Sequence, residues 1–173
     1  MKEIFLNPSD FDSLVLKRSN DIPVILGFFD NPKSSFSIFH DDFLNLVKQY
    51  GKDIEFLKID PNLAGQLIHK YDIKKLPTMK AFFRGNVFES LEGSCDDKKF
   101  LWNFLNKVSN PETTILVQDT KRRLQAGDTV GAFYYFSKIM KKKVPRDPFV
   151  YDGLKATFNL GEFDLAKKWV ESL

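Results

Sequence analysis

The chain has 173 residues, 43% of them hydrophobic, and a formal net charge of +3. That length and apolar share suit one large domain or two small ones, each burying a core. The single cysteine, Cys95, excludes an internal disulfide framework and fits a reducing compartment.

No stretch approaches the roughly 18 apolar residues of a transmembrane helix. The start, Met1-Lys2-Glu3-Ile4-Phe5-Leu6, lacks the apolar run of a signal peptide, and Asp10 and Asp12 follow. A cytoplasmic protein is expected. Residues 113–173 carry 11 Lys+Arg against 7 Asp+Glu, whereas 1–112 carry 15 against 16. The excess lies in Lys121-Arg122-Arg123, Lys138, Lys141-Lys142-Lys143 and Arg146, read as solvated helix ends. No nucleic-acid motif accompanies it. Most of the 18 phenylalanines are expected to fill a core.

In chain order, Ser9-Asp10-Phe11-Asp12 offers an N-cap for a helix through about Lys17, broken at Asn20-Asp21. Pro23 opens a strand to Phe29, apolar on both faces as a central parallel strand is. Asn31-Pro32 turns the chain. Phe36, Phe39, Phe43, Leu46 and Val47 then recur at helical spacing up to Gly51. A strand over 54–60 and a short helix over 62–71 follow. Met79–Phe83 and Val87–Leu91 form a hairpin around Arg84-Gly85-Asn86. A closing helix spans 96–108, with Phe100, Leu101, Phe104, Leu105 and Val108 inward.

The resulting order, βαβαβαββα, resembles the thioredoxin fold, an α/β fold with a mixed sheet. Landmarks of that family fall in register over about 108 residues: Phe28-Phe29, Ile59-Asp60, Tyr71-Asp72-Ile73, Leu76-Pro77-Thr78, Phe83-Arg84-Gly85 and Gly93. The resemblance implies that Pro77 is cis. It also implies that Leu76, Pro77, Thr78 and Gly93 border a groove binding extended chain by strand-like hydrogen bonds.

The departures bear on function. The family's two cysteine positions fall on Lys33 and Phe36, bracketing Ser34 and Ser35, and Gly27 replaces its buried aspartate. Dithiol exchange needs an attacking thiolate and a resolving partner, which one cysteine does not supply. Cys95 remains a candidate reactive thiol. Asp96 and Asp97 argue against thiolate formation, and a helix beginning there argues for it. His40 and His69 have no cysteine partners at metal spacing, and no phosphate-binding glycine loop occurs. No metal and no cofactor is expected.

Ser109-Asn110-Pro111-Glu112-Thr113-Thr114 marks a boundary. The expected division is 1–108, a linker over 109–112, and an all-α region over 113–173. In that region Gly127 and Gly161, and Ala132 and Ala166, are each 34 residues apart. That is the tetratricopeptide (TPR) period. The glycines would turn the chain between antiparallel helices, the alanines would allow close approach, and Phe136 and Val170 would fill the next turn inward. Leu116 and Val150 stand where the repeat often has tryptophan.

Together the halves resemble bacterial thioredoxin–TPR co-chaperones, whose helices hold unfolding clients. The resemblance implies a redox-inactive, client-binding protein with protein partners, whether a co-chaperone, holdase or assembly adaptor. With no nucleic-acid motif, no long apolar run and Lys33 and Phe36 at the dithiol positions, no specific nucleic acid, no membrane and no enzymatic activity is expected. The alternative is a single-cysteine thiol enzyme or redox sensor using Cys95.

Overall fold

The computed structural model describes residues 4–29, 54–93, 98–140, 157, 159–162, 164 and 167. The chain divides into two compact units, Met1–Pro111 and Glu112–Leu173.

The first unit is built on five strands: β1 (Ile4–Phe5), β2 (Val24–Phe28), β3 (Glu55–Ile59), β4 (Thr78–Phe83) and β5 (Asn86–Glu92). They lie in the order β1-β3-β2-β4-β5. β3 pairs in parallel with β1 and β2, while β4 pairs antiparallel with β2 and β5, so the sheet is mixed. β2 is central and buried along its whole length, as its double-sided apolar sequence requires.

Alternation along β2 divides the core into two layers. Val24, Leu26 and Phe28 meet Leu57, Ile59 and Phe82 from neighbouring strands, and Leu6, Phe11, Val15 and Leu67 close over them. Ile25 lies on the other face with its register partners Phe56 and Ala81. A helix over Lys98–Ser109 packs against β5 and buries Leu101, Phe104, Leu105 and Val108. Phe100, expected inward, is 62% exposed, because the buried stripe starts one residue later.

The N-terminal helix begins earlier and winds less evenly than expected. Asn7, rather than Ser9 or Asp10, is the cap: its side chain accepts from the Ser9 N–H, and Pro8 occupies the first turn. A 3-10 turn (Pro8–Asp10), a π-helical stretch (Asp12–Lys17) and a second 3-10 turn (Arg18–Asn20) follow. This winding keeps Phe11, Val15 and Ser19 on one buried stripe at a spacing of four. Ser19 then anchors the sheet. Its Oγ accepts from the Gly85 N–H (2.9 Å), and its carbonyl accepts from the Arg84 N–H (2.7 Å). Arg84 and Gly85 have φ of +52° and +75°, the left-handed pair of a tight two-residue hairpin.

Asp60 caps a turn over Pro61–Leu63 and accepts from the Asn62 N–H at 2.9 Å. α1 (Gly65–Lys70) follows. The Lys98–Ser109 helix is α2. Only Asn110 separates it from α3 (Pro111–Gln125), so the 109–112 stretch is a helix junction in which Pro111 opens the second helix. The expected helix over 36–50 lies outside the described residues.

In the second unit α3 turns into α4 (Thr129–Met140). Gly127 takes φ +75°, and the Asp128 N–H reaches back to the Arg123 carbonyl at 2.9 Å. Asp128 caps α4 by accepting from the Gly131 N–H (2.8 Å), and it pairs with Arg123. A Cβ at Gly131 would fall 2.3 Å from Asp128 Oδ2 and 2.5 Å from Arg123 Cδ, so this clasp leaves room only for glycine. Ala132, Phe136 and Ile139 are the buried stripe of α4. The turn recurs 34 residues on. Gly161 has φ +75°, and the Glu162 N–H bonds the Thr157 carbonyl at 3.1 Å, as Asp128 does Arg123.

Candidate functional site: the loop before β4

The end of α1 aims this loop. Asp72 takes φ +50°, and the Ile73 N–H returns to the Ile68 carbonyl at 3.0 Å, closing the helix in a left-handed turn. Tyr71 fixes that turn to the core: its ring lies 5.3 Å from Phe82 and 5.5 Å from Phe11. The chain then crosses to β4 through Lys74, Lys75, Leu76 and Pro77.

The Leu76–Pro77 peptide is cis. Two bonds hold the loop. Thr78 Oγ1 donates to the Lys75 carbonyl at 2.6 Å, and the Gly93 N–H donates to the Pro77 carbonyl at 2.8 Å. Gly93 takes φ +84°, a conformation that favours glycine. Leu76, Pro77, Thr78 and Gly93 are thus brought together at the end of the sheet. Leu76 sits between the two clamps with its side chain 37% exposed. Among the described residues, neither its N–H nor its carbonyl has a hydrogen-bond partner. A backbone donor and acceptor without partners, in an exposed apolar residue, is the arrangement an added strand recognises.

Charge around the loop is mostly paired. Lys74 bonds Asp72 at 2.9 Å, and that hydrogen bond, with the aspartate's charge, holds its ammonium above the ordinary lysine range. Lys80, in the mostly apolar β4, is 9% exposed and reaches Glu92 on β5 at 3.1 Å. This interstrand pair satisfies an ammonium that burial would otherwise penalise. The lysine inside the run Thr78-Met79-Lys80-Ala81-Phe82-Phe83, with Glu92 opposite that strand's start, was the available sequence signal for it.

Across the sheet, Gly27 lies under the ring of Phe29. A Cβ at position 27 would fall 2.1 and 2.6 Å from two atoms of that ring. The ring is held by Phe56, 6.3 Å away, and by Lys58 Nζ at 5.6 Å from its centroid. Aromatic carbon therefore fills the place a side chain at 27 would take. Sequence reading located Gly27 but not this filling, because Phe29 lies just beyond the strand it folds back on.

Lys33, Ser34, Ser35, Phe36, Cys95, His40, Val150, Ala166 and Val170 lie outside the described residues. His69 is exposed on α1. Among the described residues no group of three metal-ligating side chains occurs, and no helix is long and apolar enough to cross a membrane.

The family model for thioredoxin matches residues 2–107. The chain belongs to the thioredoxin family. Thioredoxin-1 of Caenorhabditis elegans is 31% identical over 90 residues, covering 52% of this chain and 76% of that protein. The crystal structure of Malassezia sympodialis thioredoxin (Mala s 13) superposes with a TM-score of 0.53 at 18% identity, covering 62% of this chain and 91% of that one. That likeness is one of fold. The mixed sheet and the cis proline ahead of β4 are as the thioredoxin resemblance implies, and the matched region stops before α3.

Proposed function

We propose that this protein is a thioredoxin-family member without dithiol chemistry that binds other polypeptides, as a co-chaperone, holdase or assembly adaptor. The observation that carries the reading is Leu76. Among the described residues its backbone donor and acceptor have no partner, while the residues on either side are clamped. An extended client segment pairs with that backbone and lays an apolar side chain on Leu76. The chemistry is non-covalent, since one cysteine leaves no resolving thiol.

The second unit supplies further contact surface. Its two glycine turns share one bonded geometry at a 34-residue interval, which supports a TPR-type hairpin pair with Gly127, Ala132, Phe136, Gly161, Ala166 and Val170 as its landmarks. The partners are unfolding clients or a chaperone that receives them.

The test is suppression of light scattering by a thermally aggregating client, with the full chain in molar excess. Suppression that survives Cys95→Ser and weakens in Leu76→Asp is the expected result. Suppression or disulfide reduction abolished by Cys95→Ser overturns it in favour of the single-thiol reading.

A further inference from the structure

We infer that the loop before β4 selects extended segments in which a carboxylate neighbours an apolar residue, the carboxylate meeting Lys75 and the apolar side chain resting on Leu76. This rests on the reading of Leu76 given above and names the class of segment it takes.

The selection follows from how the loop's cations are distributed. Lys74 is bonded to Asp72 at 2.9 Å and Lys80 to Glu92 at 3.1 Å, so each already has its carboxylate. Lys75 differs. It is exposed, its carbonyl is fixed by Thr78, and its ammonium makes no ion pair among the described residues. Among the described residues, a cation without an ion pair therefore stands one residue before the exposed leucine whose backbone has no partner. A strand added along Leu76 advances about 3.3 Å per residue. Its next residues fall within reach of a lysine's four-carbon stem. A carboxylate there gains an ion pair at the rim, and a lysine or arginine there is repelled. Because Lys75 is solvated, the preference is modest and screened by salt.

The experiment uses the full chain and one unfolded probe in two charge forms: α-lactalbumin reduced and alkylated either with iodoacetate, which adds carboxylates, or with iodoacetamide, which adds neutral amides. Binding is measured by calorimetry at low and high salt. The wild type is expected to bind the carboxymethylated form about 2–5-fold more tightly, the size of one exposed ion pair. The preference should shrink at high salt, vanish in Lys75→Gln and reverse in Lys75→Glu, with circular dichroism confirming that both variants fold. Equal binding of the two forms by the wild type overturns the charge selection and leaves the Leu76 reading standing. A preference that persists in Lys75→Gln overturns the assignment to Lys75. Failure of both forms to bind overturns the Leu76 reading itself.

Discussion

Ser19 and Gly27 show how much single positions carry here. Ser19 is fully buried, and its Oγ both donates to the Leu16 carbonyl and accepts from the Gly85 N–H. Ser19→Ala removes that acceptor and leaves a hairpin amide without its partner. The expected loss is about 1–3 kcal/mol in urea unfolding. Gly27→Ala is expected to cost a similar amount, about 1–3 kcal/mol, because its Cβ displaces the Phe29 ring from a packed position. Gly27 and Phe29 should be coupled. In a double-mutant cycle, Gly27→Ala placed on Phe29→Ala should cost less than it does alone, and strictly additive effects would contradict the filling described for that ring. Gly27 was legible in the sequence as a departure from its family. Its reason was not, since the ring that occupies the space belongs to a residue two positions on.

At the scale of elements, the α3–α4 hairpin is held by one aspartate. The Arg123 hydrogen bond first, and the Gly131 N–H second, hold the Asp128 carboxyl below its ordinary value of 3.8. A depressed folded-state pKa means the unfolded chain takes up the proton first as pH falls. The contribution is therefore complete above the ordinary carboxylate range and is lost as pH drops through the lower folded-state value. Thermal melts from pH 7 to pH 2 should show a smaller acid-side decline in Asp128→Asn than in the wild type. Gly127 and Gly161 share φ +75°, so Gly127→Ala and Gly161→Ala should each lower stability by about 1 kcal/mol. Unequal costs would argue against a repeated turn. The glycine interval exposed this element to sequence reading, since only a residue tolerant of positive φ ends a helix this way. The Arg123–Asp128–Gly131 clasp was hidden, because it joins residues on both sides of the turn. The uneven winding of the first helix was hidden too. Its buried residues repeat every four positions, and a pattern of Phe11, Val15 and Ser19 does not distinguish an α-helix from a wider one.

At the scale of the molecule, the chain divides into two compact units. Phe136 is fully buried in the second, and Phe136→Ala should remove about 3–5 kcal/mol there. Hydrogen exchange should then show protection lost along α3 and α4 while the β2 amides keep theirs. Loss of β2 protection to the same extent would mean one cooperative body. Four strands of the first unit's sheet were readable, because turn residues close each of them, whereas β1 is two residues long and carries too short a pattern to bound. The site was readable only as a place. The features the proposal rests on, a leucine backbone and a lysine ammonium without partners among the described residues, depend on which neighbours are already bonded.

The sheet's two edges bear on how the protein behaves when concentrated. β1 offers two residues, too few to template another strand. β5 is longer, but its pairing with β4 shifts register at Ala81/Phe82, and Glu89 and Glu92 sit along it, held by Lys107 and Lys80. A kinked, charged edge at one side and a stub at the other give fibril growth no flat surface to start from. Edges of this kind keep a folded sheet from seeding ordered polymers of its own chain.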